Sequence, residues 1–407
     1  MNWEQKPLGE LLEALIDHRG RTPKKLGTDF VANGVPVLSA QLVTNGFIDW
    51  SKTRFVDQQT FELWMPQKLK KSDVLLTSEA PLGRTAILNR EQNVVLGQRL
   101  FALRGKKGVL DNHYLHYWLR SDKGQAVLTS HAQGTTVIGI RQSSLRSISV
   151  DLPSITTQKA IADVLGALDD KIAANIRVKE TCTELIKTIG SIPNSNIPVS
   201  ELAVQVKKQI SAGKLQELDV RHYSIPAFDL GYASIESGAE IKSGKNLIEA
   251  PCVLVSKLNP RTPRIWSIPT VHSEETTVCS TEFTAWQETT VPQAALYAAL
   301  LQGSFSEQLQ ERASGTSNSH QRVRPQDIQE ATIPDVRKLD QETLKLLEAL
   351  NLQAADLIKE NQVLAATRDE LLPLLMNGKI TVAEAKEAAG DVGVVKQNQQ
   401  EEGDGSV

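Results

Sequence analysis

The sequence predicts a tandem repeat of α/β (α+β) globular domains, each followed by a long helix. Three observations carry that expectation. Two stretches, Thr156 to about Ile189 and Leu339 to Leu375, hold apolar residues at alternating spacings of four and three, the mark of a helix burying a narrow seam against another helix. The segments before each of them mix short apolar strands, amphipathic helices and turns marked by Gly or Pro. Landmarks of the first segment return in the second about 181 residues on. The expected boundaries are residues 1–151, 152–190 for the first helix, 194–335, 336–377 for the second helix, and 378–407 for a mostly disordered tail.

In the first domain, Leu8–Ile16 reads as a short amphipathic helix, followed by the basic turn His18-Arg19-Gly20-Arg21-Thr22-Pro23. Val35–Ser39 opens a strand, and Asp73–Thr77 is another, ending in the turn Ser78–Gly83. Arg84–Leu88, Val94–Leu96 and Arg99–Leu103 continue the sheet. Asp111-Asn112 is a capping pair for one helix from Tyr114 to about Leu128. A polar loop with two glycines, Gly134–Gln142, and a short strand, Ile148–Val150, lead to Leu152-Pro153-Ser154-Ile155, which launches the first long helix.

The seam of that helix is Ile161, Leu165, Leu168 and Ile172, then Cys182, Ile186 and Ile189, interrupted by Asn175 and Lys179. At about 1.5 Å per residue it is roughly 50 Å long, too long for one small core. Beyond Asn194–Pro198 the pattern restarts. Val199–Val206 echoes the opening helix, Pro251–Ser256 the strand at Asp73, Lys257–Arg261 its turn, and Ala294–Leu301 the helix at Tyr114. Gly315–Arg322 stands where Gly134–Arg141 stood, and Ile333-Pro334 launches the second helix. Its seam is Leu347, Leu350, Ala354, Leu357, Asn361, Leu364, Leu371 and Leu375. Gly134/Gly315, Arg141/Arg322 and Pro153/Pro334 all sit 181 residues apart, and Leu165/Leu347 sits 182 apart. After Asn377-Gly378, Thr381–Ala389 is a candidate for one more helix, and Val392–Val407 reads as disordered.

Composition narrows the function classes. No run approaches a membrane-spanning length, the start lacks a signal-peptide pattern, and three scattered cysteines suit buried thiols in a reducing cytoplasm. Overall charge is −3, yet residues 1–151 hold 20 Lys and Arg against 14 Asp and Glu, while residues 194–335 hold 12 against 16. The first domain is thus the better electrostatic candidate for a polyanion. There is no Walker-type phosphate loop, dinucleotide fingerprint or Asn-Pro-Pro-aromatic methyltransferase signature. His113 and His116 share an i, i+3 spacing, but no third metal ligand is suggested nearby. Ser78-Glu79 beside Arg84 has no accompanying base. The expectation is a chain without an active site or metal.

Reading duplex DNA needs Arg, Asn, Gln, Ser or Thr at base edges and cations at phosphates. The first domain presents Arg19, Arg21, Lys24, Ser39, Gln41, Arg84, Arg141 and Gln142 on its loops. The second presents Ser256, Lys257, Asn259, Arg261, Arg264, Asn318, His320, Gln321 and Arg322. Each alone is ordinarily a solvated loop residue. Together they recur at corresponding loops with different chemistry, as two readers of different half-sites would.

Here the residues carry a family resemblance. Leu152-Pro153-Ser154-Ile155-Thr156-Thr157-Gln158-Lys159-Ala160-Ile161-Ala162, then Leu165–Ile172, then Leu371–Ile380 are similar to motifs of the specificity subunit of type I restriction–modification enzymes. Gly134-Thr135-Thr136 with Arg141, and the Val74–Gly83 strand and turn, add to the likeness, which covers roughly residues 5–380. The second helix departs from it, opening as Ile333–Leu339 without Gln-Lys-Ala-Ile-Ala.

The resemblance implies two target recognition domains, each gripping half of a bipartite double-stranded DNA site. With the loops matched, Arg141 is expected to serve one half and Arg322 the other. The resemblance also implies an antiparallel coiled coil of the two helices as a ruler between half-sites. Two modification (methyltransferase) subunits and a restriction subunit would be the partners, carrying S-adenosylmethionine, ATP and Mg, with no cofactor in this chain and no membrane. A coiled-coil scaffold whose domains bind proteins is the alternative, and the acidity of the second domain leans toward it.

Overall fold

A computed structural model describes residues 3–44, 46–313 and 321–393. The chain forms two compact units, Met1–Ile172 with Val363–Val407, and Ala173–Gln362. The expected partition treated the long helices as separate spacers. Instead each unit incorporates a stretch of both, because their apolar residues complete its core.

The first unit is built on an antiparallel four-stranded sheet in the order Leu12–Asp17, Leu100–Gly105, Val74–Thr77, Thr85–Ile87. Alternate strand residues feed two cores. Val74, Leu76, Phe101 and Leu103 join Tyr114, Trp118 and the helix seam, while Leu75, Leu100 and Ala102 join a second core. That second core includes the small sheet Arg54–Val56, Val35–Leu38, Val95–Leu96. Burial on both faces explains why these strands read as continuous apolar runs.

It also explains one departure from the sequence reading. In Leu8–Ile16 only Leu8–Leu11 is helical, and Leu12–Asp17 is a strand, with Leu12 and Leu15 in one core and Ala14 and Ile16 in the other. Leu8, Leu11, Leu12, Leu15 and Ile16 fall at helical spacing, yet pairing with Phe101–Gly105 makes a strand of the second half. A second departure is the helix at Tyr114, which divides into Asn112–Arg120 and Asp122–Ser130. Asp111 caps the first part by accepting from Tyr114 N at 3.0 Å, and the Ser121 hydroxyl caps the second from Gly124 N at 3.1 Å.

The second unit repeats this sheet as Ala203–Val206, Phe283–Glu288, Cys252–Ser256, Ile265–Ile268, in the same order. Val199–Glu201 is a single 3-10 turn and Ala203–Val206 a strand, mirroring the correction at the start of the first unit. Gln293–Leu300 and Gly303–Arg312 are among its helices, and a further sheet has five strands. Each unit also closes a two-stranded ribbon, Glu4–Pro7 with Ser149–Leu152 and Asn196–Pro198 with Thr332–Pro334.

The long helices span Ile155–Gly190 and Gln341–Met376, 36 residues each, so roughly 54 Å. In the first unit Ile161, Leu165 and Leu168 are buried with Leu364, Leu371 and Leu375, and Ile172 packs beside them. In the second, Ile186 and Leu347 are buried and Leu350 packs against them; Leu357 is half-buried. The pairing is antiparallel: Asn175 donates to Asn361 Oδ1 at 2.9 Å and Glu360 Oε2 at 2.8 Å, while Cys182 lies 3.9 Å from Gln353 Oε1. Asn175 and Asn361, polar positions in the two seams, are therefore cross-helix partners, which pins the register. Gln158 ties the start of the first helix down, accepting from Asp111 N at 2.9 Å and donating to Val109 and Pro153 carbonyls.

In the stretch 378–407, expected to be mostly disordered, Val382–Asp391 is a helix with Ala385 and Ala389 buried in the first core. Residues 394–407, where disorder was also expected, lie outside the described ones. All three cysteines are free and buried. Among the described residues no helix is long and apolar enough to cross a membrane.

Candidate nucleic-acid interface

In the first unit three loops that are distant in sequence converge. Ser78 N donates to Arg99 O and Ile140 N donates to Ser78 O, both at 2.9 Å. Gln133 and Gly139 exchange backbone hydrogen bonds at 2.8 and 3.0 Å, folding residues 133–139 into a closed loop beside the Ser78 turn. Two glycines make the loop possible. Gly134 has φ 114°, and a Cβ at Gly139 would lie 3.0 Å from Ser78 O and the Glu79 Cβ. Val137 and Ile138 are exposed on it.

Arg19 ties the end of the strand Leu12–Asp17 to the loop at Ile140. Its guanidinium meets both Asp17 oxygens at 2.9 Å, donates to Ile140 O at 3.2 Å and lies 4.1 Å from the Phe101 ring centroid. Arg21 donates to the carbonyls of Leu63 and Trp64 at 3.0 and 2.6 Å, closing the end of the helix Gln58–Trp64. Both arginines therefore shape the surface, Arg19 through all three guanidinium nitrogens and Arg21 through Nη1 alone. Arg84, Arg141, Lys24 and Gln41 are exposed, while Ser39 and Gln142 are half-buried. Neither Arg84 nor Arg141 forms an ion pair with a described residue, and Arg99 pairs with Glu79 at 3.2 Å. Arg84, Arg141 and Lys24 are exposed cations without an ion pair to a described residue.

The second unit builds the same junction. Lys257 N donates to Glu282 O at 2.8 Å, and Val323 N to Lys257 O at 3.0 Å. Ser256, expected at the interface, is buried, with its hydroxyl accepting from Leu258 N at 3.1 Å. Arg264, also expected there, is bidentate to Asp229 at 2.7 and 2.9 Å. That guanidinium holds the Asp229 carboxyl below its ordinary range. Asn259 turns the chain at φ 49° and donates from its backbone to Gln321 O at 2.8 Å. Lys257 and Gln321 are half-buried and Arg261 is exposed. Arg322 forms a bidentate pair with Glu282 at 2.8 and 3.2 Å. Asn318 and His320 lie outside the described residues.

These matching hydrogen bonds give the true register of the repeat. Ser78, Ala80 and Pro81 correspond to Lys257, Asn259 and Pro260, an offset of 179, and Ala80 and Asn259 share the left-handed backbone at φ 50° and 49°. Arg99 and Ile140 correspond to Glu282 and Val323, an offset of 183. The uniform 181 suits the helices starting at Asn112 and Gln293 but fails at both loops. Arg141, which opens the helix Gln142–Ser147, is thus matched by Arg324, which opens Pro325–Glu330. Both have φ −83° and ψ 153°. Arg322 instead matches Gly139. Arg324 and Arg99 escaped the sequence reading; the apolar-Arg pairs Ile140-Arg141 and Val323-Arg324 were the available signal.

His113 and His116, the spacing that suggested a metal, face different surroundings. His113 is exposed and His116 buried. Burial and the Arg120 charge push the His116 pKa down to about 3, keeping it neutral.

Residues 1–181 match the family described as the type I restriction modification DNA specificity domain. The first part of the chain is similar to type I specificity subunits. The type I restriction enzyme MjaVIII specificity subunit of Methanocaldococcus jannaschii is 28% identical over 170 residues, 40% of each chain. The EcoBI specificity subunit of Escherichia coli is 23% identical over 133 residues, 33% of this chain and 28% of that protein. The matched stretches thus span less than half the length of these relatives. The crystal structure of a type I restriction-modification system S subunit from M. genitalium shares the fold, with a TM-score of 0.52 at 15% identity, covering 92% of this chain and 96% of that one. The family match ends inside the first long helix. Beyond it, the second unit's likeness to a specificity domain rests on the sheet and junction it shares with the first.

Proposed function

We propose that this chain is the non-catalytic DNA-specificity subunit of a type I restriction–modification complex, each unit reading one half of a bipartite duplex site. The observation that carries this reading is the repeated junction: two units with the same strand order and hydrogen bonds present arginine-bearing loops of different composition. A duplicated scaffold with divergent loops suits two half-sites of different sequence. The paired long helices act as the ruler for the spacer. Two modification subunits dock on the chain and supply the adenine methyl transfer with S-adenosylmethionine, while restriction subunits supply ATP- and Mg-dependent translocation and cleavage.

Expression with its modification partner, followed by genome-wide mapping of methylated adenines, tests the reading. One bipartite motif is the expected result. Binding of the complex to duplex DNA is expected to fall steeply with salt, because phosphate contacts release counterions. No DNA binding at any salt would favour the protein-binding scaffold, to which the acidity of residues 194–335 leans.

A further inference from the structure

We infer that Arg324 is the second unit's counterpart of Arg141 in DNA contact, and that Arg322 is a brace. This rests on the DNA-specificity reading and assigns within it a residue that the 181-residue spacing concealed. Four observations converge. The backbone bond Val323 N to Lys257 O reproduces Ile140 N to Ser78 O, placing Arg324 one residue after the junction as Arg141 is. Both arginines sit at the start of a six-residue helix with identical backbone angles.

Availability separates Arg324 from its neighbour. Its side chain is 78% exposed, with Asp327 at 3.8 Å its one ion pair among the described residues. Arg322 has the Nε and Nη2 edge of its guanidinium paired bidentately with Glu282, so that edge is already taken and reading guanine with it would mean giving up the carboxylate.

The surroundings of Arg324 also suit a nucleic acid. The residues after it, Pro325, Gln326 and Gln329, form one wall of an open cleft of about 800 Å³. Gln205, Lys207 and Gln209 also line it, together with the acidic Glu330. Glutamine amides present donors and acceptors together, the pairing that reads adenine, and Lys207 adds a cation. So polar a lining does not suit an apolar ligand. Arg324, next in the chain to the lining residue Pro325, gives the acidic second domain a local exposed cation that its net charge conceals.

The test uses the full chain with its modification partner, carrying Arg324→Ala, Arg322→Ala or Arg141→Ala. Two readouts are taken: the methylated motif, and binding to a duplex library randomised through the site. Arg324→Ala should weaken binding about tenfold to a hundredfold, relax one half-site only, and lower the slope of log K against log salt by about one. Arg141→Ala should relax the other half-site, and Arg322→Ala should change binding less than about threefold. A merely structural role would leave the salt slope of Arg324→Ala unchanged. Arg324→Gln serves as the second variant should the alanine form fold poorly. If Arg322→Ala relaxes a half-site and Arg324→Ala leaves both intact, the assignment fails while the DNA reading stands. If none of the three alters binding or the motif, both fall.

Discussion

Asp169 lies where three helical segments of the first unit meet. Its carboxylate accepts from Tyr117 Oη at 2.8 Å, Arg120 at 2.9 Å and Arg368 at 2.6 Å. Burial pushes its pKa up, but the two guanidinium charges and the Tyr117 bond pull it below the ordinary carboxylate value. The folded state therefore holds the anion more tightly than the unfolded chain does. The stability this adds is fully present above the unfolded value near about 4 and is lost as pH falls through the folded one. Circular dichroism across the acid range should show unfolding that Asp169→Asn makes less pH-dependent. The same variant leaves two half-buried guanidinium groups short of their anion. It should cost about 3 kcal/mol in urea unfolding, the low end for a broken buried pair because Asp169 remains 27% exposed. A loss below about 1 kcal/mol would mean that the cluster is solvent-screened. In sequence, Asp169-Asp170 read as part of a family motif, and nothing local announced partners at Tyr117, Arg120 and Arg368.

Among the elements, the long helices were the most legible, because a seam sustained over 36 residues averages out local ambiguity. The short helix Val382–Asp391 was legible only as a candidate, within a tail expected to be mostly disordered. Alone, ten residues are too few for a stable helix in water, and its apolar face is small: Ala385, Ala388 and Ala389. Packing on the first core and the reciprocal cap between Thr381 and Glu384 hold it. Thr381→Ala should lower stability by about 1 kcal/mol in thermal or urea unfolding. Replacing Ala385 with Glu, which buries a charge without a partner, should release the helix, seen as faster proteolysis after Gly378. Resistance equal to the native chain would show that the packing contributes nothing.

At the scale of the whole molecule, the prediction concerns the spacer. Inserting one helical turn, about four residues, between Ala173 and Thr188 should change the length between the methylated half-sites and leave both half-site sequences intact. The same mapping of methylated adenines reads it out, and an unchanged spacer would sink the ruler. The tandem plan was visible from the returning landmarks. Its register was not, since insertions and deletions on either side of the paired helices cancel to an average near 181.

The sequence alone determined the class of fold, the duplication, the two helices and their seams, because periodic burial leaves its mark on every turn of a helix. It also pointed to the loops that converge at Ser78 and Lys257. Only the tertiary structure decided which loop residues are free to reach outward. Arg19, Arg21, Ser256 and Arg264 look like DNA readers in a string of letters, yet each is engaged by a carboxylate or backbone group of its own unit. A side chain's availability depends on what long-range contacts have already claimed, and those contacts are set by the packing of distant strands. The same packing made Arg324, rather than Arg322, the residue that stands where Arg141 stands.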